Sequence, residues 1–347
     1  MDQLNAYQEM IQLLDSPAFI VQNGIIHSAN AAAQSFDIAP GTPVERFIPH
    51  CAEEYAQLGC GYMLLTLSLC GIKQPCTVSV MNGCHLFQLT NDQSANDLKA
   101  LALAAEQLRF PISDISLMLE QLPQIPDEKR KQINQNLYKL FRMLGNMSDA
   151  AAKTPSLSRQ EQCSLRDLFS EVLEKSASLL THNKITLNYS IPQQPMYSLA
   201  NKELLTRAIY NLISNAAKHS SAGEEILAEV RLHNNKVFFS VTCPTATLSD
   251  EIRANLFTRY SRQPGVENPK NGLGLGMTLI HSAASAHGGT VLVETPQNGG
   301  VKFTMTLTPH NKASVTLRSP ILSPDIYGGR DQALVELSDV LPYYLYE

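Results

Sequence analysis

Asn211 and Asn215 stand four residues apart in the run Asn211-Leu-Ile-Ser-Asn215-Ala-Ala-Lys218-His219, and a helix through that run puts both amides on one face. Two amide oxygens so placed can hold a hard cation such as Mg2+, which in turn bridges phosphate oxygens. Lys218 and His219 follow on the next turn, within reach of the same anionic groups. About fifty positions later comes Asn271-Gly272-Leu-Gly274-Leu-Gly276, three glycines at alternate positions. Glycines there let the backbone come close to a ligand, and a helix opening at Gly276 presents free N–H groups to anionic oxygens. A lone glycine repeat is weak evidence; the two motifs in this order read as the halves of a nucleotide-phosphate site.

The pair resembles the N box and G2 box of sensor histidine kinases, within the GHKL superfamily of ATP-binding domains. Phe257-Thr-Arg-Tyr-Ser-Arg262 fits the F box, and from about Ala95 to Pro309 the order of segments is similar to a dimerisation hairpin followed by a catalytic ATP-binding domain. The resemblance implies ATP and Mg2+ as ligands, with Asn215 on the metal and Asn211, Lys218, His219, Gly272, Gly274 and Gly276 around the nucleotide.

Two other motifs depart from the family pattern. The phosphoacceptor motif has the form His-Glu-Leu-Arg-Thr-Pro, and here the matching residues are Glu106-Gln107-Leu108-Arg109-Phe110-Pro111. Leu108, Arg109 and Pro111 fix the register, so Glu106 takes the place of the histidine and Phe110 that of the polar residue that assists dephosphorylation. No histidine lies between His85 and His182 to substitute. Glu106 can be read as an unconventional acyl-phosphate acceptor or as a solvated helix carboxylate. The G1 box, Asp-x-Gly-x-Gly, becomes Cys243-Pro-Thr245-Ala-Thr247. A thiol is a poor acceptor for the adenine amino group and β-branched residues are unsuited to positive φ, so adenine recognition in the family manner is expected to be weakened.

The elements that must position these groups follow from periodicity. Leu98, Leu101, Ala105, Leu108, Ile112, Ile115, Leu119 and Leu122 alternate three and four apart, and Ile133, Leu137, Leu140, Leu144 and Met147 form a second seam. Broken at Pro123-Gln-Ile-Pro126, the two predict a helical hairpin over 94–152, whose narrow core needs a second copy to close a four-helix bundle. Residues 160–310 alternate helices and strands as an ATP-binding domain of this type should: helices at 165–180, 201–219 and 276–287, strands at 185–189, 226–232, 236–241, 290–294 and 301–307. Residues 10–92 read as a compact α/β domain resembling a PAS sensor, with Asn23-Gly24 and Asn82-Gly83 as hairpin turns. Residues 311–347 read as a C-terminal tail, with a helix expected within Asp331–Val340, packing on its own domain and carrying no chemistry. The fold class expected is an α+β multidomain chain: PAS-like sensor, helical hairpin and GHKL α/β sandwich.

Composition sets the bounds. The 347 residues carry a net charge of −5 and are 44% hydrophobic, which gives no electrostatic case for nucleic acid or an anionic membrane surface. No basic and apolar leader opens the chain, and the uncharged run 58–72 is shorter than the ~20 residues of a membrane span, so a cytoplasmic protein is expected. Cys51, Cys60, Cys70, Cys76 and Cys84 cluster near His50 and His85 without Cys-x-x-Cys spacing, and are expected to be buried apolar side chains rather than a metal site. The expectation from sequence is therefore a histidine-kinase-like signalling protein whose phosphotransfer has been lost. It would act as a dimeric scaffold that engages a response regulator or an active kinase. The alternative is a working ATP-dependent kinase or ATPase with an unconventional acceptor.

Overall fold

The computed structural model describes residues 2–89, 94–122, 124–151, 160–245, 275–297, 299–309, 327 and 329–347. Helix α1 (Asp2–Gln12) leads into strands β1 (Ala18–Gln22) and β2 (Ile25–Ala29), the short helices α2 (Ala31–Gln34) and α3 (Ala52–Ala56), and strands β3 (Tyr62–Leu69), β4 (Ile72–Met81) and β5 (Cys84–Leu89). Asn23-Gly24 and Asn82-Gly83 take positive φ at both positions, the geometry that a two-residue hairpin turn needs. Asn30 caps α2 through the Ala33 N–H and donates to the carbonyls of Ile11, Leu14 and Ser16, tying α1 to the sheet. Cys51, Cys76 and Cys84 are buried, whereas Cys60 and Cys70 are exposed, contrary to the expectation for the whole set. Burial pushes the Cys51 thiol up to about 12. Among the described residues no three His, Cys, Asp or Glu side chains are grouped to hold a metal ion.

Helices α4 (Ser94–Glu120) and α5 (Asp127–Ala151) pack as an antiparallel hairpin. Ala105, Ile112, Leu137, Phe141 and Leu144 are buried in its core. Leu108 (47%), Ile115 (50%), Leu122 (49%) and Leu140 (40%) from the same two seams remain exposed. Each seam thus spends one edge inside the hairpin and presents the other outward. The side chains of Leu98 and Leu101 lie outside the described residues.

Beyond the hairpin come β6 (Glu161–Ser164), α6 (Leu165–Leu180), β7 (Thr186–Ser190), β8 (Tyr197–Ala200), α7 (Lys202–Lys218), β9 (Glu225–His233), β10 (Lys236–Cys243), α8 (Gly276–Ala286), β11 (Val291–Glu294), β12 (Val301–Leu307) and α9 (Gln332–Glu336). Ser164 and Asn201 start α6 and α7 by accepting the N–H groups of Asp167 and Leu204 at 3.3 and 3.1 Å. The apolar faces of α6, α7 and α8 bury Phe169, Ile209, Ile213 and Ile280 against strand residues such as Phe239. Among the described residues no helix is long and apolar enough to cross a membrane.

Sequence periodicity did not anticipate how the sheets join. Strand β3 pairs antiparallel with β11, Leu64 opposite Val291 and Met63 opposite Leu292, making one ten-stranded sheet in the order β2-β1-β5-β4-β3-β11-β12-β10-β9-β7. Leu64 belongs to the core under α6–α8, while Leu292 belongs to the N-terminal core, so each strand lends a side chain to the other's interior. Glu54 of α3, removed from water, accepts from Lys236 at 2.7 and 2.9 Å and from the Thr306 hydroxyl at 3.3 Å, fixing α3 to β10 and β12. Gly61 lets the strands meet: its φ is 113°, and a Cβ there would stand 2.2 Å from the Val293 carbonyl oxygen.

Gly61→Ala is expected to destabilise the protein by at least the ~1–3 kcal/mol of a strained backbone position. Urea unfolding measures the loss, and amide exchange should accelerate at Val291–Val293 before it does in β10. Unchanged exchange in β11 would mean that the strands do not depend on this approach.

Candidate functional site

Helix α7 carries the site face as the stripe Arg207, Asn211, Asn215, Lys218, each three or four residues from the next. Gly276, the first residue of α8, lies directly against it: a Cβ there would be 3.1 Å from Asn211 Oδ1 and 4.0 Å from Asn215 Nδ2. The two asparagines therefore share a face, and that face looks at the start of α8. Asn215 is half-buried, with Nδ2 3.9 Å from Met277 Sδ. His219 is the exposed C-cap of α7. Gly272, Gly274, Thr247 and 257–262 lie outside the described residues.

The same face is already engaged by charge. Asn211, 1% exposed, accepts from Arg142 of α5 at 3.1 Å and donates to Glu336 Oε2 at 3.2 Å and to the Arg207 carbonyl at 2.9 Å. Its amide oxygen thus meets a guanidinium, which repels a cation, so in this arrangement Asn211 does not offer the metal-holding oxygen expected of it. Lys218 donates to Asp339 at 2.6 Å, a carboxylate where a phosphate oxygen was expected. Asp339 also accepts from Arg142 at 2.7 Å. Arg207 donates to Glu336 at 2.8 Å, to Asn146 at 3.0 Å and to Asp149. Three cations, Arg142, Arg207 and Lys218, are balanced by three carboxylates, Asp149, Glu336 and Asp339, in a largely buried cluster.

Electrostatics follow from that arrangement. Burial alone would lower the Arg207 pKa, but Asp149 and Glu336 overcome it and hold the guanidinium charged. Burial opposes ionisation of Asp339, yet Arg142 and Lys218 prevail and hold its carboxyl below the ordinary range. For Asp149 burial wins over the attraction of Arg207, and its carboxyl is raised. Gly145 makes room for the cluster, since a Cβ there would stand 2.7 Å from the Arg207 guanidinium.

The C-terminal segment is therefore not a tail on its own domain alone, as expected from sequence. Its helix is shorter than 331–340, and the segment also packs on α5 and sets Glu336 and Asp339 against α7. Arg142, Arg207, Glu336 and Asp339 escaped motif reading. Their one sequence signal was a charge inside an apolar run, as in Leu140-Phe-Arg142-Met-Leu144 and Ala333-Leu-Val-Glu336-Leu337.

Cys243, expected from sequence at the G1 aspartate position, ends β10 with its thiol buried and 3.5 Å from the Ala216 carbonyl of α7. Burial pushes that thiol up to about 11, so it stays protonated and uncharged at neutral pH. Thr245 does not take positive φ, and its hydroxyl donates to Glu224 at 2.8 Å. On α4, Glu106 and Gln107 are exposed and Phe110 is 81% exposed.

Residues 200–311 match the histidine kinase-, DNA gyrase B- and HSP90-like ATPase family, the stretch that holds α7, Cys243 and Gly276. The chain is 29% identical over 225 residues to the adaptive-response sensory kinase SasA of Crocosphaera subtropica, covering 60% of this chain and 58% of that protein. It is 26% identical over 216 residues to the sensor histidine kinase RppB of a Synechocystis species, covering 59% and 48%. Residues 200–311 thus carry a domain of that ATPase family, and the relatives the chain is similar to are sensor histidine kinases. The chain spans about half the length of these curated relatives. Among solved structures, full-length ShkA in complex with AMPPNP is similar with a TM-score of 0.49 at 18% identity, covering 62% of this chain and 47% of that one.

Removing one charge from the cluster strands its partner. Arg207→Ala, which leaves Glu336 buried beside a single guanidinium, is expected to cost about 3–5 kcal/mol in urea unfolding. A loss below 1 kcal/mol, read with the ~10–15% error of extrapolation, would mean that the cluster is hydrated and weak.

Proposed function

We propose that this protein is a histidine-kinase-like signalling protein that has lost histidine phosphotransfer and acts as a dimeric scaffold or regulator. One observation carries the reading: the acceptor register fixed by Leu108, Arg109 and Pro111 puts an exposed carboxylate, Glu106, where the family has histidine. The buried, protonated Cys243 supports it from the other side, because a thiol gives adenine no strong acceptor. Phosphoryl transfer needs nucleotide, metal and acceptor in line, and here acceptor and base pocket are both altered. ATP and Mg2+ remain candidate ligands of the phosphate half, through Asn215, Lys218, His219 and the glycines 272, 274 and 276, with affinity below that of an intact pocket.

The exposed halves of the α4 and α5 seams support self-association through 95–152. The N-terminal α/β domain is the proposed PAS-like sensor, and the partners are a response regulator or an active histidine kinase.

Incubation with γ-phosphate-labelled ATP tests the chemistry. Wild type and the Glu106→His, Phe110→Thr variant are expected to stay unlabelled. Adding Cys243→Asp, Thr245→Gly and Thr247→Gly should give acid-labile label on the hairpin. Label on 94–120 in the wild type would establish the alternative, an active kinase with an unconventional acceptor.

Leu108→Asp tests the dimer, since it would bury an unpaired carboxylate in the bundle at a cost of about 3–5 kcal/mol. Sedimentation should show a monomer; a persistent dimer would move the interface away from the hairpin.

A further inference from the structure

Residues 329–347 lie between the hairpin and α7, held from both sides. On the hairpin, Gln135 donates to the carbonyls of Leu341 at 2.6 Å and Ser338 at 3.3 Å, and Tyr346, fully buried, sits edge-on to Tyr138 with ring centroids 4.9 Å apart. On the other side, Lys175 and Asn183 bond Asp331 and the Val340 carbonyl. Between these anchors Glu336 meets Asn211 and Asp339 meets Lys218.

We propose that this segment is a built-in competitor for the phosphate half of the nucleotide site, Glu336 and Asp339 standing in for phosphate oxygens, so that a magnesium nucleotide and the docked segment exclude one another. The inference rests on the reading of α7 as the phosphate-binding helix.

Carboxylates and phosphate oxygens are both anionic acceptors, and they compete for the same donors. The Lys218 ammonium directed to Asp339 is the group a phosphate would take, and the Asn211 amide is held by Arg142 and Glu336. When the segment leaves, Glu336 and Asp339 go with it, and Arg142, Arg207 and Lys218 are left with Asp149 alone of the three carboxylates. That net positive face suits a polyphosphate. Because the segment also bonds α5, its release loosens the hairpin from the ATPase domain. Nucleotide occupancy and hairpin freedom are thereby coupled through one element.

The test uses the full chain, magnesium ATP and two readouts, calorimetric affinity and amide exchange over 331–346. Asp339→Asn keeps the shape of the side chain but removes its charge. Its affinity for magnesium ATP should rise about tenfold over wild type, the factor imposed by a competitor that occupies the site about nine-tenths of the time. Gln135→Ala, which loosens the segment from the far side, should act in the same direction. Asn215→Ala should cancel both gains, and magnesium ATP should speed exchange at 337–346 in the wild type. Equal affinity in wild type and both variants, still lost with Asn215→Ala, would overturn the competition while leaving the nucleotide site standing. Absence of binding in every variant, with exchange showing the segment loosened, would overturn the competition and the nucleotide reading together.

Discussion

Arg207 and Glu336 are both withdrawn from water, the first on α7 and the second at the end of α9, and 2.8 Å separates guanidinium from carboxylate. Desolvating either charge alone costs several kcal/mol, so each is tolerable only with the other in place. The pair extends to Arg142 and Asp149 of α5 and to Asp339 and Lys218, which lie 197 and 58 or 121 positions from their partners in sequence. Hairpin, ATPase domain and C-terminal segment therefore meet in one charge-balanced cluster. Displacing any of the three leaves charge that another partner must balance, and Gly145 and Gly276 are the places where the backbone yields room for the cluster.

A second constraint is of a different kind. The sheet runs unbroken from β2 to β7 because β3 and β11 satisfy each other's edge hydrogen bonds, and an unpaired edge at either would be an open template for other strands. Backbone pairing, the exchanged side chains Leu64 and Leu292 and the Glu54–Lys236 ion pair make that junction continuous. The hairpin is held to the rest by charge and by the aromatic anchors of the C-terminal segment instead. Ionic attachment to polar groups is open to competition from a charged ligand; interlocked strands are not.

The α7 stripe, Gly276 and the helix pair that frames them belong to a nucleotide-binding family. Cys243 and Glu106, read in the sequence as standing where an adenine acceptor and a phosphoacceptor are expected, are a buried thiol and an exposed helix carboxylate. A buried thiol pushed up to about 11 packs under α7, so a cysteine at 243 suits the core.

What the sequence determined by itself was local or motif-like. Hairpin turns at Asn23-Gly24 and Asn82-Gly83, the limits of α6 and α7 and the two seams are legible because a few neighbouring residues decide each backbone conformation. The α7 stripe was legible for the same reason: Asn211, Asn215 and Lys218 lie within three turns of one helix. Other features were decided only by the tertiary structure. Thr290 and Leu64, which meet at the sheet junction, are 226 residues apart, and no period within either strand names its partner. Leu108 and Ala105 sit on one seam, yet packing buries only the second. Glu336 and Asp339 resembled any charges in a C-terminal helix. Their partners come from α5 and α7, and a buried charge is recognised by what surrounds it in space, which no local pattern of residues encodes.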